Sequence, residues 1–335
     1  MGLRPRRREE IPVELFRSVN IDWLGKKWYF LCFSLIFSVA GIVSMGQHWA
    51  SIGSPVPLGV DFRGGTEVQL QFVQTPDIGA IRQAVAAAGM KDAKIQPYGE
   101  AGAHQVLISL PEQKDETSLD AGRQQIVDAL HAHYANPIVP TATKVDVVGP
   151  TVGKQLEKQA LGATLLSLLG MLVYLWFRFQ LIYGVAAVVA VFHDTLITIG
   201  FFALTNQEIS LTVIAAILTL VGYSMNDTIV VFDRIRENLR LTRKETLPEV
   251  VNRSINQTLS RTVLTSGLTF LTVLSLFVFG GPVLRGFSFA LVVGILIGTY
   301  SSIAVAAPML VAWQEWRAQR GGGASVLPAA KRARV

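Results

Sequence analysis

The chain has 335 residues, of which 50% are hydrophobic and only 16% are charged, and its formal net charge is +6. Soluble domains typically carry about 25% charged residues, so this composition excludes an ordinary soluble protein. The positive charge falls between apolar stretches, which does not suggest a nucleic-acid partner, and the single cysteine, Cys32, excludes an intramolecular disulfide.

The chain begins with a basic head at 1–27, followed by an apolar stretch at 28–46. This stretch is long enough for a membrane-spanning helix. It lacks a clear small-residue cleavage site and follows a long polar segment. We therefore interpret it as a retained span and not as a signal peptide.

The sequence GVDFRGGTEVQL at 59–70 joins this span to the next segment. Its glycine pair allows backbone angles closed to other residues and indicates a tight turn. A structural elbow is the simplest interpretation, and an arginine beside the glycines is a weaker signal for an anion site. The predicted conformational linker consists of Asp61, Phe62, Arg63, Gly64 and Gly65.

Residues 47–159 are predicted to hold a small α+β domain. Alternating, β-branched segments indicate strands, and Thr75-Pro76 is typical of a helix N-cap followed by proline at the first helical position. The order β-α-β-β-α-β is ferredoxin-like. We find no metal-ligand, nucleotide-binding or nucleophile–base set, so we expect no enzyme, metal or cofactor. The predicted strands are 66–73, 93–98, 105–110 and 141–148, and the predicted helices are 77–88 and 117–133.

Further apolar stretches within 160–312 predict an α-helical polytopic membrane protein with six spans. If the chain has six spans, Lys and Arg are concentrated in the segments on one side of the membrane. The links on the other side, TNQE and GGPV, contain neither residue. The positive-inside rule then makes both termini cytoplasmic and places 47–159 outside the cytoplasm. The basic tail at 313–335 is predicted to be disordered. Spans two to six are predicted at 160–177, 181–204, 209–232, 262–279 and 286–312.

Span three contains a polar insertion, His193-Asp194, near its middle. Ionisable residues inside a bilayer are costly and are seldom present without a partner or a function. A proton relay and a hydrogen-bonded packing contact are both consistent with this pair.

Two further charges, Asp227 in span four and Arg261 at the start of span five, lie at similar depth, since the two spans meet on the same side of the membrane. Burial disfavours a charged carboxylate and a nearby guanidinium favours it. A carboxylate balanced between these effects can load and release a proton. A static ion pair that holds the bundle together is the alternative.

Polar residues follow each of these two spans at helical periodicity, so each set is expected to face other helices or water. Tyr223 and Asn226 are secondary candidates for the proton site beside Asp227. The predicted stripes are Thr212, Thr219, Tyr223, Ser224 and Asp227 on span four, and Arg261, Thr265, Thr269, Thr272 and Ser275 on span five.

Span six repeats a small residue at every fourth position. Such a ridge lets another helix approach closely, so we predict a packing role. The glycines of the ridge are Gly286, Gly294 and Gly298.

Long motifs in a fixed order now indicate a family. They are LFRSVNIDWLGKKWYF in the head, GVDFRGGT after span one, VGYSMNDTIVVFDRIRENLR followed by VVNRSINQTLSRTVLTSGLTFLTVLSLFVFGG, and LRGFSFALVVGILIGTYSSIAVAAPML at the end. They closely resemble the SecD/SecF family of bacterial protein export. The resemblance covers nearly the whole chain except the termini and much of the external domain.

The resemblance implies that the six spans form half of an RND-type bundle in the bacterial inner membrane, with a periplasmic domain between spans one and two. It implies use of proton-motive force in late preprotein translocation, with Asp227 matching the family's proton-responsive aspartate and Arg261 its arginine partner. Implied partners are SecD, the SecYEG channel, YajC, preprotein and membrane lipid. Half of a small-molecule exporter and a scaffold without proton coupling stay open as alternatives.

Overall fold

The structure is a computed structural model that describes residues 20–90, 93–98, 102, 104–111, 121–139, 144–148, 150–178, 181–242 and 245–320. Most of the predicted head, the tail after 320, and the beginnings of the predicted helix at 117 and strand at 141 lie outside the described residues.

The elements follow one another as helix α1, a small mixed domain, and then a run of long helices. In chain order they are α1 (Lys27–Ile52), α2 (Val60–Arg63), β1 (Gly65–Gln71), α3 (Ile78–Ala87), β2 (Lys94–Tyr98), β3 (Gln105–Pro111), α4 (Ala121–His133), β4 (Lys144–Val148), α5 (Pro150–Arg178), α6 (Leu181–Leu204), α7 (Leu211–Leu241), α8 (Leu247–Phe279), α9 (Gly281–Ser301), a π-helical turn (Ser302–Ala306) and α10 (Ala307–Gln319).

Six helical segments of the described chain are long and apolar enough to cross a membrane, with α9, the π turn and α10 forming the last one. The six-span prediction is therefore confirmed. The middle of the last segment differs from the continuous helix that the sequence suggested, because the π turn inserts a wider loop of backbone after Ser301.

The domain between α1 and α5, called the external domain because it lies outside the helical bundle, contains a four-stranded antiparallel sheet in the order β2-β3-β1-β4. Each neighbouring pair is antiparallel and the two helices connect strands that are not adjacent, which is the predicted ferredoxin-like topology. Val68 on β1 lies opposite Ile108 on β3, and both are buried under α3 and α4 beside Ile81 and Ile126. Alternation along β1 thus buries one face of the sheet.

The start of α3 differs from its predicted cap. Asp77, and not Thr75, is the N-cap residue, and its Oδ1 accepts hydrogen bonds from the backbone N–H groups of Gly79 at 2.8 Å and Ala80 at 3.3 Å. An aspartate can satisfy two of the free N–H groups at a helix start, so it is a better cap than a threonine two residues earlier.

Helices α6, α7 and α9 form the interior of the bundle, and α1, α5 and α8 are largely exposed in the isolated chain. Helices α1 and α6 cross at a pair of glycines. A Cβ added at Gly41 of α1 would lie 2.9 Å from the Cα of Gly200 on α6. The two helices can meet this closely because neither position carries a side chain.

Candidate functional site

Asp227 lies at the junction of three helices. It is carried by α7 and is only 2% exposed. Its Oδ2 accepts hydrogen bonds from the Ser266 hydroxyl on α8 at 2.7 Å and the Thr299 hydroxyl on α9 at 3.4 Å. Because serine and threonine hydroxyls can both donate and accept, this pair can satisfy either protonation state of the carboxyl group.

Arg261 does not contact Asp227 in this structure. It is exposed on α8, and no ion pair or hydrogen bond joins the two side chains, both of which lie in the described part of the chain. Ser266, five residues further along α8, makes the contact instead. An offset of five residues turns a side chain by about 140° around a helix, so Arg261 and Ser266 point to different sides.

The predicted stripe on α8 does share one exposed face. Arg261, Thr265, Thr272 and Ser275 are exposed, and Thr269 is half-buried. The threonine hydroxyls donate to carbonyl oxygens one turn earlier on the same helix, at 2.9–3.0 Å. Their hydrogen bonding is satisfied locally, and most of this face is exposed in the part of the chain that the structure describes.

The predicted stripe on α7 divides between two faces, so the single-face prediction was wrong. Thr212, Thr219 and the neighbouring Asn226 are exposed, whereas Ser224 and Asp227 are buried. Each residue advances about 100° around a helix, so Ser224 and Thr219, which are five residues apart, point about 140° away from each other. The buried face turns toward α6, α8 and α9. Tyr223, between the two faces, has a hydroxyl group without a hydrogen-bond partner in the described chain.

His193 and Asp194 form a second buried polar cluster, distinct from Asp227. Asp194 is 1% exposed, and its Oδ1 lies 2.9 Å from Nδ1 of His193. Its Oδ2 accepts hydrogen bonds from Ser224 on α7 at 2.5 Å and from Ser301 on α9 at 2.8 Å. No hydrogen bond joins Asp194 to Asp227 among the described side chains.

The glycines of span six lie against α7. A Cβ added at Gly286 would lie 3.0 Å from Val213, one at Gly294 would lie 2.4 Å from Leu220, and one at Gly298 would lie 2.9 Å from the Cβ of Ser224. Just beyond this contact, the Thr228 and Ser302 hydroxyls are 2.9 Å apart. The helices that carry Asp227 and Thr299 are therefore in close contact along their length.

The predicted linker motif is a short helix followed by two glycines in unusual backbone conformations. The φ angles of Gly64 and Gly65 are +74° and +132°, which L side chains rarely adopt. Phe62 is buried in the bundle core beside Val213 of α7, and the Arg63 guanidinium donates to the Ser54 hydroxyl at 3.2 Å.

Asp61 links this motif to the helix of the buried aspartate, since its Oδ2 accepts a hydrogen bond from the Leu211 backbone N–H at 2.8 Å. Nearby, the Ile209 N–H donates to the Pro57 carbonyl at 2.8 Å. The motif also packs on α5, because a Cβ added at Gly153 would lie 2.9 Å from the Phe62 carbonyl oxygen. One turn thus joins β1 to α5 and α7.

The external domain makes a second contact with the bundle. The ammonium group of Lys94 on β2 lies 2.6 Å from Oε1 of Glu208, in the link between α6 and α7. Both side chains are partly exposed, at 37% and 26%.

An apolar cavity of about 350 Å³ lies among α1, α8 and α9. Its wall includes Trp23 and Phe30 at one end, and it reaches Ser266 and Thr299, the two residues that hold Asp227. Trp23 is fixed there by a hydrogen bond from its indole Nε1 to Asn256 at 3.0 Å.

Sequence reasoning found the buried carboxylates but missed the hydroxyl groups that hold them: Ser266, Thr299 and Ser301. A hydroxyl residue is inconspicuous in an apolar helix because it can bond to its own backbone. A signal was present for Ser266, since it continues a repeat of hydroxyl residues at every fourth position of α8, all of them buried: Ser254, Thr258, Thr262 and Ser266. Within the described residues, no group of three or more His, Cys, Asp or Glu side chains could hold a metal ion.

Comparisons with known proteins give a consistent family. A model of the C-terminal region of the protein export membrane proteins SecD/SecF matches residues 130–316, and a model of the SecD/SecF GG motif matches 49–76. The protein translocase subunit SecF of Koribacter versatilis is 54% identical, over 96% of this chain and 98% of its own length. That of Desulfurispirillum indicum is 42% identical, over 89% of this chain and 93% of its own length.

Solved structures agree with these sequence matches. The crystal structure of SecDF from Thermus thermophilus, described as a translocon-associated membrane protein, superposes with a TM-score of 0.76 at 37% identity and covers 89% of this chain. SecDF in a super-membrane-facing form gives a TM-score of 0.64, also at 37% identity, and covers 92% of this chain. This chain spans only 39–40% of those two chains. The match confirms the predicted fold class, a six-span half of an RND-type bundle.

Proposed function

The chain belongs to the SecF family of protein translocase subunits, within the SecD/SecF group of protein export membrane proteins, and on this premise we propose that it couples proton movement to late preprotein translocation. In this proposal it is an accessory, non-enzymatic subunit of the Sec export machinery. Its partners are SecD, the SecYEG channel, YajC, the preprotein and the surrounding lipid.

The burial of Asp227 carries this proposal. A carboxylate inside a membrane bundle is costly, and two hydroxyl groups from different helices hold it in place. Protonation would remove its charge and could reverse one of its hydrogen bonds to Ser266 and Thr299, since a neutral carboxyl group has a single O–H donor, and this changes the forces between α7, α8 and α9. The site therefore has the composition that a proton-dependent change in helix packing requires.

The energy available is sufficient for such a change. Moving one charge through 100 mV supplies about 2.3 kcal/mol, which shifts a two-state equilibrium about fifty-fold. Asp61 bonds the beginning of α7, and the same turn leads into β1 of the external domain. A displacement of α7 would thus be transmitted to the domain that contacts the emerging preprotein.

We place the protein in the bacterial inner membrane with both termini in the cytoplasm and the domain within 47–159 in the periplasm. The distribution of Lys and Arg among the links supports this orientation.

We place SecD against the exposed polar faces of α7 and α8. Asn226 is exposed on α7, as is Thr219 two turns earlier, and Arg261 and Thr265 are exposed on α8. Polar stripes on spanning helices face protein or water and not lipid. A homologous half-bundle would bring its own fourth span against this face and place Arg261 in protein surroundings.

Cysteine crosslinking tests this placement in a variant with Cys32 replaced. Asn226→Cys should crosslink to a cysteine in the fourth span of SecD. Phe192→Cys is the matched control, since Phe192 is 64% exposed but on α6. Crosslinking from Phe192 and not from Asn226 would show that SecD binds a different face.

Export assays on Asp227→Asn test proton coupling directly. Asparagine keeps the size and most hydrogen bonding of aspartate but cannot titrate, so the variant should assemble with SecD and lose proton-dependent stimulation of export. Asp233→Asn, at an exposed position two turns further along α7, is the control and should keep that stimulation. Full export activity in a well-assembled Asp227→Asn protein would favour the scaffold without proton coupling. Loss of drug resistance on deletion of the protein, with export intact, would favour the exporter.

The arginine is tested in the same assay. Arg261→Ala should impair proton-dependent export in a complex that still assembles. A static ion pair gives a different result, because replacing both Asp227 and Arg261 with leucine would then restore assembly and activity.

A further inference from the structure

The buried carboxylate of Asp194 has no role in the coupling proposed above. It is 1% exposed and accepts hydrogen bonds from two other helices, through Ser224 of α7 at 2.5 Å and Ser301 of α9 at 2.8 Å. Its remaining oxygen, Oδ1, is held by His193. A buried group with this many partners fixes the positions of the elements that supply them.

Those two serines are close in sequence to the residues of the proton site. Ser224 lies three residues before Asp227 on α7, and Ser301 lies two residues after Thr299 on α9. The hydroxyl of Thr198, one turn after Asp194 on α6, donates to the backbone carbonyl oxygen of Asp194 at 2.7 Å. Asp194 thus joins α6 to the same turns of α7 and α9 that hold Asp227.

We propose that Asp194 is a positioning residue that sets the relative placement of α7 and α9, and thereby holds the Thr299 hydroxyl within hydrogen-bond distance of Asp227. The inference rests on the proposed function for its consequence in export, but the geometry that it concerns can be measured separately. Neither His193 nor Asp194 then carries the transported proton.

The hydrogen bond from Thr299 to Asp227 is long, so it is sensitive to the position of α9 relative to α7. Its hydroxyl is 3.4 Å from Oδ2 of Asp227, near the outer limit for a hydrogen bond. A displacement of α9 by a few tenths of an ångström would remove the contact, whereas the 2.7 Å bond from Ser266 on α8 would persist. Of the two hydrogen bonds to Asp227, the one from Thr299 is therefore the one that depends on Ser224 and Ser301.

Two serines of α9 provide a matched test. Ser301 and Ser288 are both fully buried, but Ser288 donates only to carbonyl oxygens of its own helix, those of Leu284 at 2.7 Å and Arg285 at 3.2 Å. Ser301→Ala removes a bond between helices, and Ser288→Ala removes an equivalent group without affecting α7. Ser224→Ala tests the other arm of the cluster.

The measurement is infrared difference spectroscopy of the complex with SecD. Subtracting the spectrum of an otherwise identical Asp227→Asn protein isolates the bands of Asp227, whichever protonation state prevails. We expect Ser301→Ala and Ser224→Ala to shift those bands toward a carboxyl group with fewer hydrogen bonds, and Ser288→Ala to leave them in place. Proton-dependent export should fall by about three- to ten-fold, the effect of one lost hydrogen bond, in the first two variants only.

The outcomes separate the two proposals. Unchanged Asp227 bands in both Ser301→Ala and Ser224→Ala would overturn the positioning role, even if export falls. Shifted bands with export unaffected would support the positioning role and count against proton coupling through Asp227. If either variant fails to assemble, Asp194→Leu, which keeps a similar side-chain shape but removes both acceptor oxygens, is measured instead, and bands identical to those of the parent would again overturn the proposal.

Discussion

The Asp61 carboxylate accepts a hydrogen bond from the backbone N–H of Leu211 at 2.8 Å, so the turn that begins the external sheet also binds the first residue of the helix that carries Asp227. The first N–H groups of a helix have no partner within the helix, and an anionic group there is stabilising. Asp61 therefore joins two parts of the protein that sequence alone presents as separate.

Asp61→Ala should lower the stability of the bundle and weaken the transmission of movement to the external domain. Loss of a helix-terminal acceptor costs about 1 kcal/mol, and Asp61→Asn should recover most of it. Thermal unfolding of the complex and the export assay measure the two effects. Asp77→Ala is the control, since Asp77 caps α3 inside the external domain. An equal loss of proton-dependent export in both variants would contradict a specific role for Asp61.

Gly298→Ala should destabilise the bundle by about 1–3 kcal/mol, because its new methyl group would lie 2.9 Å from the Cβ of Ser224. Gly267→Ala is the control, since a Cβ there would have no atom within 4 Å beyond the adjacent residues and the nearby backbone of its own helix. Replacing that glycine in a helix should be neutral or stabilise by up to about 1 kcal/mol. Thermal unfolding in lipid nanodiscs compares the two, and equal melting temperatures would show that α7 and α9 can separate at no cost.

The ion pair between Lys94 and Glu208 should hold the external domain against the α6–α7 link in a salt-dependent way. Partly exposed pairs contribute up to about 1 kcal/mol, so Lys94→Glu should raise hydrogen exchange in β2 by up to about five-fold at low salt. The double variant with Glu208→Lys should return exchange to the parent level. Arg234→Glu breaks a pair of the same length within α7 and should leave β2 unchanged. Failure of the double variant to recover protection would contradict this contact.

Single cysteines should report the orientation of the chain after replacement of Cys32. A cysteine at Gly102, in the external domain, should react with an impermeant maleimide in intact cells that have a permeabilised outer membrane. A cysteine at Leu241, which is 74% exposed at the end of α7, should react only after the inner membrane is disrupted. The reverse pattern would place the termini outside the cytoplasm.

Periodicity was sufficient for most of the fold. Long apolar stretches determine which segments span, and alternation along β1 indicates which side of the sheet is buried. Helix ends were less accessible to prediction, because the polar last turns of α7 and the first turns of α8 extend the spans past their apolar limits. Pattern alone does not distinguish a helix that continues into water from one that ends at the membrane surface.

The site was only half predictable for a related reason. A charge in an apolar helix is visible in the sequence, so Asp227 and Asp194 were found. The partner of a buried carboxylate depends on the rotation of each neighbouring helix. An error of one or two residues in that rotation exchanges Arg261 for Ser266 as the contact. Similar depth in the membrane, which the sequence predicts for Asp227 and Arg261, does not determine the direction in which a side chain points.

The glycine ridge of α9 has a consequence for how the bundle can move. Because added methyl groups at Gly294 and Gly298 would overlap with α7, these two helices cannot approach further, and we expect them to move together apart from adjustments of a few tenths of an ångström. Helix α8, which is largely exposed and reaches Asp227 through Ser266, is not restrained in this way. We therefore expect a change at Asp227 to move the α7–α9 pair relative to α8, the helix that carries Arg261.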